Sequence, residues 1–368
     1  MTGPVRVAVL GDSLSEGVGD PVPGGWRGWG TLLAQAITDD PAGVDVLNIA
    51  RSGARSADVA GPQLAAALAH RPHVATVVAG GNDTLRGAFS VAEVAAGLHT
   101  AIGALRGRGT VVLTACLPDP GDLLGLPWPL ARPLARRMDA VNTVVHALSD
   151  HHGTVHLHAA EHPWSTARGA LSADRLHPGE TGHRLLAHAF HALLVQDGLA
   201  TGPAPRLAPD RPPPGPGTRL WWMATKGTRW IAERSRDLLP DLLRLAADEY
   251  RHERRGTAVL LDLATRAETE RALSALGVRP AAAPAVALPA GGGAGVSRHV
   301  DEATGRRRPG ASAASAGACA PAAQPAAPAT CRTVGGAASA GSATAQSAAP
   351  ATCRLGPGDL AGEPRVLA

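Results

Sequence analysis

Residues 7–20 read VAVLGDSLSEGVGD. A short branched apolar run ends in Gly-Asp-Ser and gives way to small polar residues, the pattern of a buried strand turning into a helix. Ser13 is thereby placed just past the carboxyl end of a sheet strand, where open α/β sheets bind their ligands. Gly11 permits a tight turn, and free amides at the helix start can stabilise negative charge beside the Ser13 hydroxyl. Taken alone, Gly-Asp-Ser reads equally well as a plain strand-to-helix turn with a capping Ser or Asp. A phosphate-binding loop fits poorly, because neither GK[ST] nor GxGxxG spacing follows the strand.

Outward from this stretch, β-type runs alternate with helical patterns as far as residue 200. The expected strands are Val5–Leu10, Val44–Ile49, Val74–Ala79, Thr110–Ala115 and Thr154–Leu157. Helices are expected near Trp29–Thr38, Ala57–His70, Ser90–Arg106, Ala131–Ser149 and Glu180–Gln196, the last with a buried stripe of Leu185, Leu186, Ala189, Leu193 and Leu194. This alternation predicts an α/β fold, a three-layer α/β/α flavodoxin-like parallel sheet of about five strands.

Three later segments carry candidate chemistry. Residues 173–187, ADRLHPGETGHRLLA, hold Asp174 and His177 three apart, close enough on one turn for the carboxylate to accept the Nδ1 proton and leave Nε2 free to deprotonate a serine. A lone DxxH is more often a capping Asp beside a surface His, and His183 on the next turn reads as a packing or surface residue. Residues 48–59, NIARSGARSADV, and 77–86, VVAGGNDTLR, follow the second and third strands and present Gly53 and Asn82 on the same edge as Ser13. An amide from each could donate to an oxyanion, although each segment alone is a common turn signal.

These four blocks, in this order, resemble the SGNH or GDSL hydrolase superfamily over residues 5–196. The resemblance implies Ser13 as nucleophile, Asp174 and His177 as its triad partners, and an oxyanion hole of Ser13 N–H, Gly53 N–H and the Asn82 side chain. Gly11, Asp12 and Asp83 are expected to support these groups. It also implies an esterase acting on a small-molecule ester through an acyl-enzyme, without cofactor or metal. An O-acyltransferase using the same triad and a non-enzymatic binding module on the same fold are the competing readings, and the intact motif residues weigh against the second.

Net charge is +4, with Lys226 the sole lysine among scattered arginines, and no basic stripe interleaved with aromatics argues for nucleic-acid binding. Four cysteines, Cys116, Cys319, Cys331 and Cys353, form neither CxxC pairs nor metal spacing. The opening residues lack a signal peptide's layout and no apolar run is long enough to span a bilayer, so a cytoplasmic location is expected. Trp26, Trp29, Trp128 and Trp164 are expected to line or flank the cleft, with loops Pro21–Gly28 and Leu117–Pro129 setting its preference.

After the hydrolase region (1–200), residues 201–217 read as a Pro-rich linker or wrapping arm and 218–276 as a helical extension. The extension carries Trp221, Trp222, Trp230 and several leucines among arginines, resembles the C-terminus of actinobacterial members, and is expected to break at Pro240. Its Trp/Arg face could touch a membrane peripherally, although packing on its own domain is the stronger expectation. Residues 277–368, rich in Ala, Gly, Pro and Ser with AAPATCR at 326–332 and again at 348–354, are expected to be disordered. Such a composition also arises from off-frame reading of a GC-rich gene.

Overall fold

The computed structural model describes residues 3–211, 215, 217 and 228–279, with the side chains of 41 and 228–239 outside that description. Trp221, Trp222 and the tail with its repeated AAPATCR lie outside the described residues, as does the side chain of Trp230.

A parallel sheet of β1 (Val5–Gly11), β4 (Val44–Asn48), β5 (Val74–Val78), β6 (Val111–Ala115) and β7 (Val155–Leu157) runs in the order β4-β1-β5-β6-β7. Counting only these five, this is the flavodoxin-like order, whose switch point lies between β1 and β5. β5 is buried throughout, as expected of a central strand covered on both faces. Every strand lies within one residue of its sequence-based bounds. The segment Pro21–Gly28, expected as a loop, instead contains a two-stranded hairpin of β2 (Pro21–Val22) and β3 (Gly25–Trp26).

Helices α2 (Gly28–Ala34) and α9 (Glu180–Gln196) pack together on one face. The other face is covered by a helical run from Ser56 to His70, by α6 (Val91–Arg106) and by α8 (Trp128–His152). The α9 stripe is centred on His183, Leu186, Ala187, Phe190 and Leu194, rotated from the expected one, so that Leu185, Ala189 and Leu193 are only partly buried. The reason is Trp29, which is 1% exposed and stacks on Phe190 with ring centroids 4.8 Å apart. Expected at the cleft, Trp29 is a core residue between α2 and α9.

Two further helices, α10 (Thr228–Arg254) and α11 (Ala258–Ala275), pack against α8 and α6. α10 runs through Pro240 rather than breaking there. The chain turns instead at residues 255–257, where Gly256 takes φ +65°. Interior Pro costs roughly 3 kcal/mol in a helix; the two helices are tied to α8 by ion pairs. Arg136 makes a bidentate pair to Glu249 at 2.9 and 3.0 Å and reaches Asp262 at 2.6 Å, while Arg132 lies 3.3 Å from Glu249. The Pro-rich arm lies against the domain: Thr201 N–H donates to Ile37 O, and Arg184 holds Arg206 O and Asp210.

Candidate active site

The Gly-Asp-Ser turn is shaped by contacts that leave no room for a side chain at residue 11. Gly11 takes φ +143°, and a Cβ there would meet Val78 O and Ser15 Oγ. The buried Gln63 side chain grips both polar groups of Gly11, accepting from its N–H at 2.8 Å and donating to its C=O at 2.9 Å. Gln63 lies at the end of a wide helical turn, Val59–Gln63, and no sequence signal marked it. Asp12 then caps α1 (Ser13–Glu16), accepting from Leu14 N–H at 3.0 Å. Burial pushes the Asp12 carboxyl up to about 6, against the opposing pull of the Leu14 amide and the His177 charge.

Asp174 and His177 sit in a tight turn closed by a bridge between Leu171 and Pro178, not on a helix. Arg175 takes φ +60° inside it. Asp174 Oδ1 accepts from Ser172 Oγ at 2.6 Å and from the Leu176 and His177 amides at 3.0 Å each, which leaves Oδ2 for His177 Nδ1 at 2.7 Å. Burial alone would raise this carboxyl, but those hydrogen bonds and the imidazole bring it down to about 2. On the far side of the ring, His177 Nε2 lies 2.7 Å from Ser13 Oγ across 164 residues of chain. With Nδ1–H donating to Asp174, Nε2 is the nitrogen that accepts from the serine hydroxyl.

Gly53 and Asn82 come to the same edge on loops that are tied down individually. Gly53 takes φ +81° in a turn closed by Ala54 N–H to Arg51 O. Glu16 accepts from both the N–H and the hydroxyl of Ser52. Asp83 accepts from Ser56 N–H and Oγ, so the loops after β4 and β5 are joined; burial raises its carboxyl. Asn82, on the short helix α5 (Gly81–Thr84), donates Nδ2 to Ala54 O at 3.1 Å and stands 3.3 Å from Asp12 Oδ2. No acceptor meets the Ser13 or Gly53 N–H among the described residues.

Residues 9–185 match the model of the GDSL-like Lipase/Acylhydrolase family. This stretch belongs to that family. The protein is accordingly a hydrolase of the esterase type. Similar solved structures include a catalytic mutant of Axe2, an acetylxylan esterase from Geobacillus stearothermophilus, at 20% identity and TM-score 0.42 over 53% of this chain and 95% of that one. TesA is 25% identical with TM-score 0.41, covering 51% of this chain and 97% of that one. A putative GDSL-like lipase from Parabacteroides merdae is 16% identical with TM-score 0.45 over 52% and 96%. Among curated proteins none matches.

In this GDSL-like domain Ser13, Asn82, Asp12 and His177 line one cleft of about 90 Å³ whose other walls are apolar, among them Leu85, Leu117, Leu123, Met138, Trp164 and Leu176. Leu117 and Leu123 belong to the expected loop Leu117–Pro129, which contains a short helix α7 (Pro120–Leu124). Gly53 borders the neighbouring depression formed by residues 48–54. Of the tryptophans expected at the cleft, Trp164 lines it; Trp26 lies on the small hairpin and Trp128 at the start of α8, both exposed. His183, wholly buried, accepts from Trp29 N–H at Nδ1 and donates from Nε2 to Val18 O, so it packs and pins the loop after α1. Burial lowers its ring to about 4.

Proposed function

We propose that the chain cleaves small carboxylic esters through an acyl-enzyme on Ser13, with His177 as base and Asp174 as its orienting carboxylate. The observation that carries this reading is the unbroken relay from Asp174 Oδ2 to His177 Nδ1 and from Nε2 to Ser13 Oγ, each step 2.7 Å. His177 takes the serine proton as Oγ attacks the acyl carbonyl, and the imidazolium formed is stabilised by the ionised Asp174. Charge then develops on the carbonyl oxygen. The free Ser13 and Gly53 amides and Asn82 Nδ2 are the donors for it; Asn82 spends one proton on Ala54 O, and its longer contact to Asp12 is the one that gives way. Collapse of the intermediate expels the alcohol with the proton from His177, and water repeats the sequence to release the acid.

The cleft beside Ser13 is small, about 90 Å³, with mainly apolar walls. That size favours acetyl to short acyl groups. The test is kcat/KM of the purified chain on p-nitrophenyl esters of increasing acyl length. Acetate and butyrate should exceed long-chain esters by about tenfold or more, the scale at which a poorly fitting hydrocarbon is discriminated. Equal or better turnover of long chains would overturn the assignment of this cleft to the acyl group, and no turnover of any ester would overturn the reading itself.

A further inference from the structure

A second constellation lies behind the cleft wall. Cys116 follows β6, His146 lies on α8, and His156 and His158 lie on and just after β7; one potential ligand atom from each falls within 4.8 Å of all the others. Cys116 is buried. His146 Nε2 and His156 Nε2 are also buried, and neither has a hydrogen-bond partner among the described residues. Buried polar atoms are seldom left so, and each such atom calls for a reason. The back of His156 is held in place, with Nδ1 3.0 Å from Thr114 Oγ1 and 3.2 Å from Ser149 Oγ. Ser149 gives its own proton to Val145 O at 2.6 Å. With that proton placed on Val145 O, a ring proton on Nδ1 is the tautomer that turns the Ser149 contact into a hydrogen bond, and it leaves the unpartnered Nε2 free to ligate. Histidines that ligate metals are oriented in this manner, through a hydrogen bond from the other nitrogen.

We propose that Cys116, His146, His156 and His158 form a binding site for one zinc-class transition metal ion. A thiolate with three neutral imidazoles suits zinc or cobalt and disfavours magnesium and calcium. Tetrahedral bonds of about 2.0–2.3 Å set ligand atoms ~3.3–3.8 Å apart, so pairs now up to 4.8 Å apart close by about 1 Å on binding. The thiol proton leaves to solvent as the metal–sulfur bond forms. Four protein ligands make a closed, structural site that excludes Ser13 and His177. Leu117, next to Cys116, lines the cleft and is clamped by Asn142 at 2.8 Å on both its N–H and C=O. Ala159, next to His158, accepts the Trp164 indole N–H at 2.7 Å. A bound ion thus ties two cleft walls to α8 without entering the reaction. Another cluster, His99, His151 and His152, differs because His152 Nε2 and His99 Nδ1 bond one another at 3.1 Å.

The test uses the full chain with Cys319, Cys331 and Cys353 changed to Ser, so that Cys116 is the one thiol among the four cysteines. The protein is stripped with chelator and titrated with Co²⁺ and then Zn²⁺. One equivalent of Co²⁺ should bind with a thiolate charge-transfer band, Zn²⁺ should displace it, and Zn²⁺ should raise the melting temperature. Cys116→Ser should lose the band, His158→Asn should weaken binding about tenfold or more, and His151→Asn should leave both unchanged. Circular dichroism of the metal-free variants checks folding, and His158→Asn, at an exposed position, carries the test if Cys116→Ser does not fold. Failure of the folded parent to bind stoichiometric Co²⁺, or a band and affinity that survive both substitutions, overturns the proposal.

Discussion

The catalytic edge and the C-terminal helical layer are held by different interactions. Around Ser13 the contacts are short hydrogen bonds, mostly between a side chain and the backbone: Gln63 to Gly11, Asp12 to Leu14, Asp83 to Ser56, Asn82 to Ala54. Between α8 and the α10–α11 pair, guanidinium–carboxylate pairs stand out among the described side chains, and the apolar ones buried there among those described are few and small apart from Leu273. The edge must fix reacting atoms to fractions of an ångström, which directional bonds to rigid strand ends achieve. The layer has only to adhere, and charge pairs with several acceptors tolerate more movement. Losses of catalysis and of stability should therefore separate between the two regions.

The largest expected effect is at the edge. Asn82→Ala should lower kcat by roughly 10²–10³ with little change in KM, because its donor acts mainly in the transition state, and its urea midpoint should stay near that of the wild type. Steady-state kinetics would contradict this role by showing a raised KM at unchanged kcat. In the helical layer, Arg136→Met should do the reverse. Glu249 is 1% exposed, and losing its bidentate partner leaves a buried carboxylate to Arg132 alone. Breaking a buried pair costs about 3–5 kcal/mol; with Arg132 still present, about 2–3 kcal/mol is expected in urea unfolding, with kcat close to wild type.

The smallest effect is one of pH. His183 is depressed from 6.5 to about 4 by burial, so above pH 6.5 the ring is neutral in both folded and unfolded chains. Below it the unfolded chain takes up a proton that the folded ring refuses, and stability falls until about pH 4. From pH 6.5 to 5 its own share of the loss is about 1.5 kcal/mol, beside those of His152 and His156, also lowered by burial, and against Asp12, whose raised carboxyl works in the opposite sense. NMR titration of the folded chain isolates His183: its ring should stay neutral down to about pH 5, and protonation near 6.5 would contradict the buried neutral ring.

Much of this is legible in the chain itself, because the alternation of strand and helix runs, Gly-Asp-Ser and Asp-x-x-His are local patterns with a period or a spacing. Ser13 and His177 were each ambiguous alone and were made specific only by their combination with the other blocks. What the sequence left hidden depends on which face of an element meets which neighbour. Nothing local tells Trp29 to face Phe190, on which it stacks, rather than the cleft. Gln63 is one glutamine in an Ala-rich helical pattern, and its grip on Gly11 requires the wide turn that reorients it. Pro240 marks a break in any local reading, yet the partners of α10 lie on α8, more than 100 residues earlier. Cys116 and His146 stand 30 residues apart, so no spacing rule joined them.

The central claim is that Ser13 carries the acyl group. Its most direct test is reaction of the purified chain with a fluorophosphonate, followed by peptide mass spectrometry of the adduct. A single phosphonyl adduct on Ser13, absent from Ser13→Ala and greatly slowed in His177→Ala, is the predicted result. Undiminished labelling of Ser13→Ala at another residue would contradict it.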